Sequence, residues 1–168
     1  MMKQNIFSTD TSITSEKSSI QKLPWHHRRR WIRFYIQQKL KALIESKLVA
    51  PGETVLDYGC GDKPYEWMFQ KKFEQYIGVD LAATEAADYV MIEPDSKLPV
   101  NDQSIDLVLS TQVLEHVKDT SNYLQETHRV LRANGYLLLS THGVWPYHPC
   151  PNDYWRWTID GLQMNLTQ

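Results

Sequence analysis

Cysteine is scarce in this chain: Cys60 and Cys150 are the only two among 168 residues. Two isolated thiols make neither a disulfide framework nor the paired knuckles of a structural zinc site, which fits a reducing, cytoplasmic setting. Long apolar runs are missing too. No stretch approaches the roughly 18 residues that span a bilayer as a helix, so no integral membrane segment is expected. The first residues lack the apolar core of a signal peptide, and Asp10 and Glu16 argue against a transit peptide. Charge of one sign is equally thin. With 18 basic and 20 acidic residues the formal net charge is −2, and the whole-molecule field gives no support to a nucleic-acid partner. What is present is an ordinary globular composition, 42% hydrophobic and 23% charged, at a length that suits one domain with a sizeable core.

Residues 1–22 are rich in Ser and Thr ("STDTSITSEKSS") and read as a disordered tail, leaving 23–168 as the domain. From Trp25 to Val49 the pattern turns helical, with Ile32, Ile36, Leu40, Leu43, Ile44 and Leu48 on one stripe and Pro51-Gly52 as the stop. Strands are expected at 54–58, 75–80, 88–92, 104–110 and 136–141. Helices fall between them: 65–72, then 121–132 with Ser121 as N-cap and Asn134-Gly135 as its close. A last helix starts at Ile159 behind Thr158. Apolar strands alternating with helices indicate a doubly wound, mostly parallel α/β sheet of Rossmann-like type.

In such a sheet ligands lie beyond the carboxyl ends of the strands, where strand order reverses. The segment "VLDYGCGDKPY" (55–65) puts Asp57 at the tip of the first strand and Gly59 and Gly61 directly after it. Paired glycines also serve a plain tight turn. Asp80, at the end of the second strand, adds the acidic residue that reaches a ribose diol. A dinucleotide would need phosphate contacts at the next helix start, where Asp62 sets a like charge and Pro64 removes an N–H. A phosphate-free nucleoside carrying a cationic amine fits better, which leaves an NAD-linked oxidoreductase as the weaker alternative.

Together "VLDYGCGDKPY", "YIGVDL", "LPVNDQSIDLVLSTQVLEHV", "ETHRVLRANGYLLLSTHG" and "HPCPNDYWRWT" occur in the order of class I S-adenosylmethionine-dependent methyltransferases, which the chain resembles from about residue 25 to 165. The likeness is strongest to the small-molecule branch of ubiquinone- and menaquinone-type enzymes. It implies a seven-stranded sheet with S-adenosylmethionine across the ends of strands one, two and four. Carried onto this chain, Asp57, Gly59 and Gly61 hold the methionine part, Asp80 the ribose, and Asp95 lies near the adenine. Thr111 and Gln112 lie beside the methionyl end, and Glu115 and His116 are a family feature of the following turn. Lys63 stands where the family has a third glycine. The sequence ends at Gln168, so the last two strands of that sheet are expected to be missing. The fifth strand then offers an edge for homodimerisation, and a non-catalytic donor-binding module stands as an alternative function.

On the acceptor side, His142 and His148 are the candidate general bases, with local loop histidines as the competing reading. The aromatic and proline-rich "WPYHPCPNDYWRWT" (145–158) reads as a wall facing a small-molecule, glycan- or lipid-linked acceptor, with Tyr147, Asp153, Tyr154 and Arg156 as contacts. Trp155 and Trp157 read as core anchors. No metal is expected, because His142, His148, Cys150 and Asp153 match no common structural-site spacing. The basic "HHRRRWIR" (26–33) reads as the solvated start of the first helix rather than a partner site, and Cys60 as a small residue in a tight turn.

Overall fold

The computed structural model describes residues 28–46, 51–81, 86–91, 93 and 96–167. The expected tail and Asp95 lie outside the described residues. The chain divides into two compact units, 1–40 and 41–168. The helix α1, Arg28–Glu45, begins in the first and ends in the second, and Ile36 and Leu40 of its apolar stripe are buried.

The second unit is an α/β layer built on five parallel strands: β1 (Gly52–Tyr58), β2 (Phe73–Asp80), β3 (Tyr89–Val90), β4 (Ile105–Thr111) and β5 (Leu131–Ser140). Their order across the sheet is β3-β2-β1-β4-β5. Strand order therefore reverses between β1 and β4, which puts the topological crevice at their carboxyl ends. This is the Rossmann-like arrangement expected from the strand–helix alternation. The two central strands are apolar on both faces because each is covered on both sides. Val55, Leu56, Leu107, Val108 and Leu109 are fully buried.

Helices and turns depart from the expected boundaries in informative ways. The α2 helix, Glu66–Phe69, is a single turn rather than the 65–72 helix. The α3 helix spans Thr120–Val130, and its N-cap is Asp119, whose carboxylate accepts from the Asn122 N–H at 3.0 Å. Asp outcompetes Ser121 here because it sits where the first free N–H groups point. Asn134-Gly135 does not close this helix. Leu131 is already extended and pairs with Ile105, and pairing resumes at Tyr136 with Leu107. Asn134, at φ +66°, makes the intervening bulge. The last helix, α4 (Ile159–Leu166), has the expected cap, Thr158 Oγ1 accepting from Gly161 N–H at 3.0 Å.

One carboxylate ties the amino ends of the strands. Asp106 of β4 accepts the Glu53 and Thr54 N–H groups of β1 at 2.9 and 2.8 Å, and Arg132 in the β5 bulge bonds both its oxygens at 3.0 Å. Deeper in, Tyr123 of α3 stacks on Tyr58 with centroids 4.2 Å apart, and its hydroxyl pairs with Ser110 Oγ at 2.8 Å. Both groups are fully buried. Tyr123→Phe is expected to lower unfolding free energy by about 1–2 kcal/mol and Tyr123→Ala by about 3–5 kcal/mol, read from urea denaturation.

Candidate active site at the carboxyl edge of the sheet

Asp57 is the second-last residue of β1, flanked in register by Gly78 of β2 and Leu109 of β4. It is only 1% exposed. One oxygen accepts the Tyr76 hydroxyl at 2.6 Å, and the other, Oδ1, is buried with no hydrogen-bond partner. Burial pushes the carboxyl up to about 7, against the Tyr76 hydrogen bond and with help from the nearby negative charge of Asp80. Tyr76 is a contributor that the sequence did not single out.

The turn above Asp57 needs its glycines. Gly59 has φ +81° and a Cβ there would meet Val113 at 2.4 Å; Gly61 has φ +53° and open space where its Cβ would stand. Gly59 is thus required by packing, and Gly61 by its left-handed backbone alone. Asp80 closes the β2 side. Its Oδ2 accepts from Gly61 N–H and its Oδ1 from Leu81 N–H, both at 2.7 Å, which fixes the carboxylate beside the turn. Lys63 leaves the turn: its stem lies over Gly78 and its ammonium pairs with Asp88 at 2.7 Å. Cys60 is buried in the turn and its thiol is pushed up to about 12 by burial, then by the nearby Asp57, which makes it a packing residue.

Across the crevice, Thr111 ends β4 opposite Ser140 of β5. Gln112 takes φ +60°; its backbone N–H donates to the Ser140 carbonyl at 2.8 Å and its Nε2 to Ser140 Oγ at 3.1 Å. Its Oε1 is buried without a partner. Two unpartnered acceptors, Asp57 Oδ1 and Gln112 Oε1, therefore stand on the two sides of the switch point. They suit a ligand rich in donors and positive charge, as the nucleoside implied by the resemblance is.

The segment after β5 forms a second cluster. Glu115, in a 3-10 turn at Leu114–His116, is 0% exposed. Its Oε2 accepts from Thr141 Oγ1 at 2.8 Å, and its Oε1 lies 3.2 Å from His142 Nε2, out of hydrogen-bonding alignment. Burial raises the Glu115 carboxyl above the ordinary range. Burial, and then the neighbouring His148, pushes His142 down to about 4. His142 stacks on Trp145 at 4.9 Å between centroids, and the His148 ring meets both His142 and His116 edge-on at 4.9 and 5.0 Å. His116 Nδ1 contacts the Asn152 carbonyl.

Backbone bonds stitch this loop to the 3-10 turn: Tyr154 N–H to Glu115 carbonyl at 2.8 Å, Trp157 N–H to His142 carbonyl at 2.9 Å, and Trp155 Nε1–H to Val117 carbonyl at 2.7 Å. Arg156 holds the loop's shape. Its five N–H donors reach both Asp153 oxygens at 2.6 Å and the carbonyls of Trp145, Trp155 and Pro146 at 2.9, 2.7 and 3.1 Å. None is left for an acceptor anion. Asp153 is engaged by the same guanidinium, which holds its carboxyl well below the usual range, and by the His148 N–H at 2.8 Å. The expected acceptor contacts thus divide. Asp153 and Arg156 face each other, whereas Tyr147 is 76% exposed and Tyr154 is half-exposed.

A family model for a methyltransferase domain matches residues 56–139, half of the chain, and the chain belongs to that family. The match runs from within β1 to within β5 and stops before the 142–158 loop. A probable S-adenosylmethionine-dependent methyltransferase of Mycobacterium tuberculosis is 35% identical over 95 residues, 52% of this chain and 35% of that protein. A malonyl-acyl-carrier-protein O-methyltransferase of Serratia marcescens is 29% identical over 99 residues, 54% of this chain and 39% of that protein. The chain is thus matched over little more than a third of the length of these curated relatives. In fold it is similar to an S-adenosylmethionine-dependent methyltransferase of Archaeoglobus fulgidus, with a TM-score of 0.61 at 17% identity over 80% of this chain and 67% of that one.

Asp57 links this site to stability. A carboxyl raised to about 7 keeps its proton in the folded state while the unfolded chain has lost it. The stabilisation is fully present below the ordinary carboxylate value and is lost as pH rises toward 7, by up to about 1.4 kcal/mol per pH unit. Urea titrations between pH 5 and 8 are expected to show that decline. Asp57→Asn, which keeps an acceptor for Tyr76, is expected to flatten it and to be the more stable form at pH 8.

Proposed function

We propose that this chain binds S-adenosylmethionine and carries the methyl-transferring site of an enzyme acting on a small-molecule, glycan-linked or lipid-linked acceptor. The observation that carries this reading is the buried, half-partnered carboxylate of Asp57 beneath a glycine turn at the sheet's switch point. Family membership supports it. S-adenosylmethionine, when bound, supplies a methyl group on a positively charged sulfur, open to in-line attack.

The chain's own residues have four tasks in this reading. Asp57 Oδ1 receives the ammonium end of the methionine part beside the glycine turn. Asp80, fixed by two N–H groups, lies on the side of the ribose hydroxyls. Gln112, with Thr111, bounds the methionyl end from the β4 side. Tyr147 and Tyr154 present rings to the acceptor from a loop held in shape by Asp153 and Arg156. Attack geometry held by such a frame supplies much of the acceleration without a covalent protein intermediate. A nicotinamide dinucleotide is disfavoured, because α2 is one turn long and starts only at Glu66, well past the glycines.

Calorimetry with S-adenosylmethionine, its demethylated product and NAD tests this directly: the first two are expected to bind and NAD is not. Asp80→Ala is expected to weaken the donor by about 1.5–3 kcal/mol, as loss of a charge-assisted bond does. Unchanged donor affinity in both Asp57→Asn and Asp80→Ala would remove these assignments. Because the ammonium favours ionised Asp57, donor affinity is expected to fall as pH drops below about 7, by at most about tenfold per unit, and to lose that component in Asp57→Asn. An acceptor screen reading released demethylated donor then identifies the substrate.

A further inference from the structure

We propose that Glu115, His142 and His148 form a binding site for one divalent transition-metal ion, with zinc the best match to the donor set. One ligand atom from each of the three lies within 4.8 Å of the others. Donors around a tetrahedral zinc with nitrogen and oxygen ligands stand roughly 3.3–3.5 Å apart, given metal–ligand bonds of about 2.0–2.2 Å. Glu115 Oε1 and His142 Nε2, at 3.2 Å, already hold that spacing. The His148 side chain is 30% exposed, so its ring has room to close the remaining ångström or so by rotation.

Two observations point to a ligand rather than to packing. Glu115 Oε1 is buried and lacks a hydrogen-bond partner. A buried carboxylate oxygen left bare is costly, and a cation between it and two imidazoles removes that cost. The outer contacts also resemble those of a built site. Glu115 Oε2 is held by Thr141 Oγ1, and His148 Nδ1 lies 3.5 Å from Asp153 Oδ2, the carboxylate that Arg156 clamps. Ligating histidines commonly rest their second nitrogen on such a carboxylate. Two histidines and one glutamate leave a coordination position for water or an acceptor oxygen, as three-ligand zinc sites do.

This set differs from the one judged by sequence spacing. Cys150 and Asp153 are not in it, and Glu115, 27 and 33 positions before the two histidines, is. The metal assignment does not rest on donor binding, which calorimetry reads separately.

The test uses the full, untagged chain carrying His26→Ala and His27→Ala, so that the neighbouring histidines of the sequence do not contribute. After chelator treatment, zinc is titrated by calorimetry, and cobalt by its visible absorption. One zinc per chain is expected. His148→Ala is expected to keep its circular dichroism and to lose at least about 100-fold in zinc affinity, with Glu115→Gln doing the same. His116→Ala, which removes a ring beside Glu115 and His148 but none of the three ligands, is expected to retain zinc. If Glu115→Gln does not fold, the half-exposed His148 decides. A wild-type chain that takes up no zinc, a folded His148→Ala that binds as well as wild type, or a His116→Ala that loses zinc equally would each overturn the assignment.

Discussion

A single acid inside an apolar sheet governs the arrangement at the crevice. The strand "TVLDY" must be apolar to lie between two parallel neighbours, and those neighbours are what strip water from Asp57. Its position beside Gly78 leaves only the Tyr76 hydroxyl to answer one oxygen. The carboxyl is consequently held near neutrality instead of far below it. An apolar side chain there would be better for folding alone. The glycine turn, the Asp80 bonds to Gly61 and Leu81, and the bare Gln112 oxygen all border the same crevice.

Much of the fold was legible because its signals were local. Five strands were read from runs of branched and aromatic residues, and all five are present, β3 only as Tyr89–Val90 among the described residues. The switch point follows from their order. Boundaries were less legible where two local signals competed. Ser121 and Asp119 both make good caps, and the register of α3 against the sheet chose the aspartate. Asn134-Gly135 carries the mark of a helix end, but the β4–β5 ladder captures Leu131 first and turns the pair into a bulge. Such choices are tertiary, and no window of sequence contains them.

Residues adjacent in sequence to strand tips could be placed by position: Asp57, Gly59, Gly61, Asp80, Thr111 and Gln112 stand at or just past the carboxyl ends of β1, β2 and β4. Residues whose meaning depends on a distant partner could not. Tyr76 gave no sign that its hydroxyl would answer Asp57, because β1 and β2 set that register only once paired. Glu115 was noticed only as part of "LEHV". A charged residue between apolar Leu114 and Val117 was the available signal, since burial of such a residue demands a counterpart. For Arg156 the residue type suggested an anion outside the protein, and the fold provides one within, three positions away at Asp153.

In the proposed reading, that closed guanidinium would shape selectivity. A loop whose strongest cation is already matched by a buried aspartate and three carbonyls has no long-range pull on a charged partner. If the acceptor lies along 145–157 as proposed, discrimination there rests on contour and on the exposed faces of Tyr147 and Tyr154. Recruitment through this wall should consequently be indifferent to ionic strength, and flat or sugar-like surfaces should gain more from it than phosphates do.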